Sequence, residues 1–307
     1  MSIKVLSYGK INLTLEVLYR REDGFHQIET IMQEIGLADE IALEDLTPET
    51  AGSTREKIRL ICDHPLLSAD EKNLAYRAAS GFINKFAPEK RVKIMLKKRI
   101  PIAAGLGGGS SNAAAVIKGL GSLWDITAPP EEQHDLAASL GSDVPFFLYG
   151  GTALAEGRGE LIRPVAAFPH VEVLIASPKN LMLSAAEVYQ ALLPAKLSHK
   201  NKTKAFLRIL KQEMESRSST LAPFLPLLTN DLEEAAFSLQ KDIKLLKNRL
   251  RDMGLASLMS GSGPTVFALS EDGEKLSRAL YDLRTEGYYA ILTNTINNAE
   301  CRIIKAP

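Results

Sequence analysis

The stretch Pro101-Ile-Ala-Ala-Gly-Leu-Gly-Gly-Gly-Ser-Ser-Asn-Ala-Ala-Ala115 decides how this chain is read. Gly105, Gly107, Gly108 and Gly109 leave backbone N–H groups uncovered, and the alanine-rich run after Ser110, Ser111 and Asn112 predicts a helix. A glycine loop feeding a helix N-terminus is an anion site, because the open N–H donors and the positive end of the helix dipole point the same way. The anion expected there is the phosphate tail of a nucleotide. The loop has no Gly-Lys-Ser/Thr ending, so it is not a Walker A loop, and it lacks the spacing of a dinucleotide fingerprint. The strand-like segment 92–100 before it and the Ser-Ser-Asn continuation separate it from a plain flexible turn.

Working outward, 307 residues suffice for about two domains and a substantial core. The 37 basic and 37 acidic residues cancel, which argues against nucleic acid or an anionic membrane as a partner. A local basic cluster remains at Lys97, Lys98 and Arg99. Cys62 and Cys301 lie far apart without metal-type spacing, which fits a reducing, cytoplasmic setting. No apolar run approaches the ~20 residues of a membrane span. The first residues enter strand-like sequence directly, and no targeting segment is expected.

Residues 3–18 are dense in β-formers, with a break expected at Gly9, and 26–44 reads as a strand pair around Gly36-Leu-Ala-Asp39. The polar run 47–57 reads as an exposed loop, 58–62 as a short strand, and 73–86 and 129–140 as helices. Beyond the boundary expected at Arg163-Pro164, 171–176 predicts a strand and 232–253 a long helix capped by Asn230-Asp231. Strands at 255–259 and 265–269, a helix at 274–286 and a strand at 288–293 complete a β-α-β-β-α-β order, the split ferredoxin-like arrangement. Residues 184–226 interrupt it with a helical stretch and a polar segment near 196–204.

Three further places carry chemistry. Lys10 and Asn12 fall on one face of a strand, where they either line a cleft or sit solvated at an edge. Asp143, between Gly141 and the apolar 144–148, is either a cap or a placed acid/base. Ser260-Gly-Ser-Gly-Pro264 is a hairpin turn or a second loop of close backbone approach. Asp23-Gly24 is a turn dipeptide, and His26 after it reads on its own as structural. Zinc and serine hydrolase motifs are absent.

The strand with Lys10 and Asn12, the 105–112 loop and the late Gly-Ser-Gly loop together resemble the three motifs of the GHMP (galactokinase, homoserine, mevalonate, phosphomevalonate) kinases. Arg20-Arg-Glu-Asp-Gly-Phe-His26, Asn73-Leu-Ala-Tyr-Arg-Ala-Ala79, Gly141-Ser-Asp-Val-Pro145, Gly151-Thr-Ala-Leu-Ala-Glu-Gly-Arg-Gly-Glu160 and Asn230-Asp-Leu-Glu233 narrow the likeness. They resemble the 4-diphosphocytidyl-2-C-methyl-D-erythritol kinase branch, nearly end to end and in register. The resemblance implies an α+β, two-domain fold. An N-terminal ATP-binding domain, ribosomal protein S5 domain 2-like, spans 1–163 and a ferredoxin-like substrate domain spans 164–307. It also implies transfer of the ATP γ-phosphoryl to the 2-hydroxyl of a cytidyl diphosphate alcohol in the non-mevalonate route to isoprenoid precursors.

Carried over by position, Asp143 matches the catalytic base and Lys10 its charged partner. An ionised carboxylate in hydrogen-bond reach accepts the hydroxyl proton as the phosphoryl group arrives, and an ammonium orients or stabilises the reacting oxygen. Gly105, Leu106, Gly107, Gly108, Gly109, Ser110, Ser111 and Asn112 match the phosphate loop, and Asn73 and Lys98 match positions near the nucleotide. Mg²⁺ is expected with ATP, with Ser110 or Ser111 as the candidate ligand. Phe25 and Tyr189 match the aromatic pair that sandwiches cytosine, His26 the reader of its polar edge, and Asn12 a contact to the erythritol or diphosphate part. Phe25 replaces the usual tyrosine, Gly9 a commoner alanine, and Ala185 a frequent threonine; none of these removes a group the chemistry needs. A kinase for another small alcohol, such as homoserine or a mevalonate derivative, is the nearest alternative, and a nucleotide-binding regulator without catalysis the next.

Overall fold

The computed structural model describes residues 1–46, 56–193, 201–216, 220–297 and 303–305. Strands β1 (Ser2–Arg20) and β2 (His26–Asp45) form a long antiparallel pair at the centre of the first sheet. Neither the break expected at Gly9 nor a strand pair around Gly36 occurs. Tyr8 faces Ala38 and Gly9 faces Ile35, so both strands run on through a register shift. Pairing on either side of the shift outweighs the local turn preference, and the surplus residues are absorbed as a bulge. A second shift lies between Asn12 and Thr14. The two irregularities bracket Lys10 and Asn12.

Strand β3 (Ile58–Cys62) pairs in parallel with β4 (Val92–Lys97), and β4 lies beside the later half of β2. The hairpin β5 (Thr152–Gly157) and β6 (Leu161–Pro164) lies beside the earlier half of β2. The helices Leu74–Phe86 and Gly108–Trp124 pack on one face of this sheet, where Val5, Leu43, Phe82, Val116 and Leu120 form a core. Asn73, read as the first residue of the Leu74–Phe86 helix, caps it instead by accepting from the Ala75 N–H.

The second sheet has the order β11 (Tyr289–Asn294), β7 (Glu172–Ser177), β10 (Val266–Ser270), β9 (Ala256–Met259), all antiparallel. With the helix Gly273–Thr285 between β10 and β11, this is the predicted ferredoxin-like order. The single helix expected over 232–253 is two, Glu233–Leu239 and Lys241–Asp252, parted at Gln240 by extended backbone. Leu239, Ile243, Leu246 and Leu250 keep helical spacing across the break, and no Gly or Pro marks it, so periodicity alone could not show it. Residues 47–55 of the expected polar loop, 196–200 of the polar segment and Cys301 lie outside the described residues. The segment 202–216 is helical.

The two sheets meet through Ile11, Leu13, Ile31, Ile35 and Leu154 on one side and Val173, Ile175, Phe267 and Leu269 on the other. Phe168, Phe206 and Phe224 cluster at the same seam, with ring centroids 4.8–5.8 Å apart. Residues 7–17 of β1 are therefore buried on both faces, unlike its alternating start. Two short strands from the second half of the chain join the first sheet along β1: β8 (Thr229–Asn230) in parallel and β12 (Ile303–Lys305) antiparallel. Among the described residues, no helix is long and apolar enough to cross a membrane.

Candidate active site

Lys10 is buried, and its ammonium lies 3.5 Å from the Asp143 carboxylate while donating to Asn12 Oδ1 at 2.7 Å. Asn12 in turn donates to Thr30 Oγ1 at 2.8 Å, which orients its amide. The edge-strand reading of Lys10 and Asn12 is thereby excluded: both are 3% exposed or less. Asp143 stands at the start of the short helix Val144–Tyr149, yet its side chain makes no capping hydrogen bond. Its carboxylate is a third exposed and is turned toward Lys10 instead. An ion pair at the mouth of a cavity, with the acid accessible and the amine held, is the arrangement a proton acceptor and its partner need.

The glycine loop closes over this pair. The Lys10 N–H donates to Leu106 O at 2.9 Å. Gly105 and Gly107 adopt φ of +74° and +69°, where side chains are strained. A Cβ on Gly105 would lie 2.2 Å from Ser260 O, and one on Gly107 2.8 Å from the Phe147 ring. The helix Gly108–Trp124 starts at Gly107 without any side-chain cap, so its first-turn N–H groups are left for an incoming anion. Gly109 has room above it, its nearest neighbour being Leu74 at 3.5 Å from a built Cβ. At Gly9, a methyl group would meet only ordinary contacts of 3.4 Å or more, so glycine and alanine are equivalent there.

A cavity of about 720 Å³ runs from this loop to an aromatic end. Lys10, Asn12, Gly105, Gly107, Ser110 and Asp143 line one part, and Phe25, His26, Arg158, Ala185 and Tyr189 the other. Tyr189 stacks on His26, with centroids 5.1 Å apart and planes 24° from parallel, rather than facing Phe25. Phe25 is half-exposed and carries the Arg158 guanidinium 4.9 Å above its ring. Burial and the Arg20 guanidinium hold His26 below the ordinary imidazole value, so the ring is neutral at pH 7 and offers one donor and one acceptor. Burial, and then the Asp143 carboxylate, push the Tyr189 phenol up, so it stays protonated.

Three sequence-assigned residues turn their side chains inward rather than toward this cavity. Lys98 donates to Asp39 and to Asn112 Oδ1 (3.2 Å), Ser111 Oγ meets Ser7 Oγ at 2.7 Å, and Asn112 donates to Ser7 Oγ and Asp39. Of the two candidate serines, Ser110 is the one that lines the cavity. The Asn73 amide is occupied by its helix cap and by Ser68 O.

Residues 73–151 match the GHMP kinases N terminal domain and 205–289 the GHMP kinases C terminal region. A 4-diphosphocytidyl-2-C-methyl-D-erythritol kinase of Bacillus velezensis is 42% identical over 288 residues, 90% of this chain and 91% of its own. One from Synechococcus is 40% identical over 277 residues, covering 90% of this chain and 87% of the relative. The chain belongs to the 4-diphosphocytidyl-2-C-methyl-D-erythritol kinase family. A crystal structure titled as 4-(cytidine 5'-diphospho)-2C-methyl-D-erythritol kinase superposes with a TM-score of 0.76 at 35% identity, covering 95% of this chain and 99% of that one. A homoserine kinase from Cytophaga hutchinsonii, at 17% identity and TM-score 0.72, shares the fold. Two-domain GHMP kinase architecture and small-molecule kinase activity follow for this chain from its family.

Within this kinase, sequence reasoning missed how the second glycine loop is held. Asn230, read as a helix cap, donates to Met259 O and Gly261 O at 2.8 Å each, while its Oδ1 accepts from the Leu232 N–H. Ser260 Oγ donates to Gly105 O at 2.9 Å. A Cβ on Gly261 would sit 3.2 Å from Lys10 Nζ. The 260–264 turn is thus the wall behind Lys10 and the glycine loop. The Ser260-Gly-Ser-Gly-Pro264 run signalled the close approach, but only the Asn-Asp-Leu-Glu motif hinted at the Asn230 brace that holds it.

Proposed function

We propose that this chain transfers the γ-phosphoryl group of ATP to the 2-hydroxyl of 4-diphosphocytidyl-2-C-methyl-D-erythritol, a cytoplasmic step toward isoprenoid precursors. The observation that carries the reading is the Lys10–Asp143 pair at 3.5 Å, set in one cavity with the glycine loop and a histidine stacked on Tyr189. Asp143 accepts the proton of the hydroxyl as its oxygen attacks phosphorus; Lys10, held by Asn12, steadies the developing charge. The amides at the start of the Gly108–Trp124 helix take the phosphate oxygens. Those uncapped amides and the Ser110 hydroxyl on the cavity wall fit an ATP–Mg²⁺ pair. Among the described residues no cluster of His, Cys, Asp and Glu would hold a metal alone, so Mg²⁺ would rest mainly on phosphate and water oxygens with Ser110 beside it. When bound, it neutralises charge on the transferring group.

At the far end, Phe25 and Tyr189 offer ring faces for cytosine, and His26 offers a donor and an acceptor for its edge. Phe25→Ala is expected to raise the KM for the cytidyl substrate by about tenfold, the scale of one lost stacking contact, and to leave the KM for ATP alone. An unchanged KM dismisses the stacking role. The KM for the cytidyl substrate is also expected to rise only at a pH below the ordinary imidazole midpoint. The sign follows from the lowered pKa: the imidazole stays neutral until the solution is more acidic than its usual midpoint, and protonation then removes its acceptor. Steady-state kinetics from about pH 5 to 8 read this directly. A coupled ADP-release assay comparing the cytidyl substrate with homoserine and mevalonate tests the whole reading. Preference for either of the latter overturns it.

A further inference from the structure

We infer that Asp39 is a positioning residue for nucleotide binding, the clasp that holds both ends of the glycine loop in one geometry. The inference rests on the assignment of that loop as the phosphate site.

Asp39 lies on β2 and is fully buried. Its Oδ1 accepts from the backbone N–H groups of Arg99 (2.7 Å) and Ile100 (2.8 Å), where the chain leaves β4 and enters the loop. Its Oδ2 accepts from Asn112 Nδ2 (2.8 Å), in the second turn of the helix where the loop ends, and from the Lys98 ammonium. One carboxylate therefore ties residues 98–100 to residue 112, and the glycine loop spans the interval. Ser7 on β1 completes the clasp from the other side, meeting Ser111 Oγ and Asn112 Nδ2. Lys98 is not aimed at solvent: a Cβ on Gly108 would lie 3.2 Å from its Nζ, so the ammonium sits directly beneath the first residue of the helix.

An anionic hub is required here for a physical reason. Two backbone N–H groups, an amide NH₂ and an ammonium converge on one buried point, and all four are donors. Only an ionised carboxylate offers enough acceptor sites to satisfy them together. An asparagine at 39 keeps the shape but presents NH₂ to two of the donors. The surroundings can relieve that clash only by moving Lys98 or Asn112, and either movement changes the spacing of the amides between them. Phosphate recognition by backbone N–H groups depends on that spacing. Asp39 does not reach the reacting atoms, so its loss acts through the loop.

The test is Asp39→Asn in the full-length chain, read by calorimetric binding of Mg-ADP, steady-state kinetics and hydrogen exchange. The Kd for Mg-ADP and the KM for ATP are expected to rise at least about tenfold, with the KM for the alcohol substrate within about twofold. Amides of residues 105–111 exchange faster, while those of the second sheet keep wild-type protection. A merely structural role lowers thermal stability and leaves the nucleotide constants of the folded protein unchanged. Nucleotide constants within twofold of wild type, or a parallel rise of both KM values, overturn the inference.

Should Asp39→Asn fail to fold, Ser7→Ala decides. It removes one link of the clasp and raises the Kd for Mg-ADP about threefold; an unchanged Kd overturns the inference. ADP binding does not involve the alcohol. A wild-type protein that binds Mg-ADP but ignores the cytidyl substrate therefore sinks the substrate assignment and leaves the clasp under test.

Discussion

Asp143→Asn is expected to lower turnover by at least about 100-fold while the KM for ATP stays within about twofold. The substitution keeps the shape and removes the acceptor. A hundredfold loss equals about 2.7 kcal/mol of transition-state stabilisation, within the range for a general base. Stability is a minor term by comparison. Lys10 is buried, but its ammonium still donates to Asn12 Oδ1 and the carboxylate 3.5 Å away is a third exposed, so losing that one charge is expected to cost only about 1 kcal/mol. The side chain also caps no helix, so no secondary structure is lost with it. Turnover should therefore collapse in a protein that still melts close to the wild-type temperature. A coupled ADP-release assay beside a thermal melt separates the two effects. Near-normal turnover in the variant means that the hydroxyl proton leaves by another route.

Gly105→Ala has the second large effect, and it arises from packing rather than from chemistry. The residue sits at φ +74°, where a β-carbon costs about 1–2 kcal/mol. The added methyl would also lie 2.2 Å from the backbone oxygen of Ser260, and backbone cannot swing aside as a long side chain can. The loop and the 260–264 turn must separate, which strains the Ser260 Oγ to Gly105 O hydrogen bond and moves the wall behind Lys10. Together these terms come to about 3 kcal/mol or more. The expected result is a melting temperature lower by about 5–10 °C, and a kcat/KM for ATP reduced at least about 100-fold. Calorimetry and kinetics on the purified variant check both. Wild-type behaviour would mean that the two loops do not touch in solution.

The two variants probe different parts of the same assembly. At Asp143 a group is removed from an unchanged frame, whereas at Gly105 the frame is displaced with every reacting group intact. The first should spare ATP affinity and the second should not.

Much of the site was legible from local pattern. Period-two alternation placed Lys10 and Asn12 together, and they are hydrogen-bonded to each other. The run of glycines before an alanine-rich segment showed that a helix follows, but the helix starts at Gly108, inside the 105–112 stretch read as loop. The β-α-β-β-α-β order of the second half was readable because its strands and helices are short and separately bounded. Where local pattern was ambiguous, it misled. Gly36 looked like a turn but lies in a bulged strand, because pairing with β1 continues on both sides. Residues 232–253 looked like one helix because their apolar spacing survives the break at Gln240.

What the amino-acid sequence determined by itself is the chemistry on offer: a loop stripped of side chains before a helix, an amine and an amide two residues apart on a strand, and an acid after a glycine. These are properties of neighbours along the chain, set by backbone geometry and side-chain type. Only the tertiary structure decided who meets whom. Asp143 is brought to Lys10, Asp39 to Asn112, Ser260 to Gly105, and Tyr189 to His26 across separations that no local rule encodes. Such contacts form because two sheets bury a shared apolar seam, and polar groups carried along with it must find partners or face a cavity.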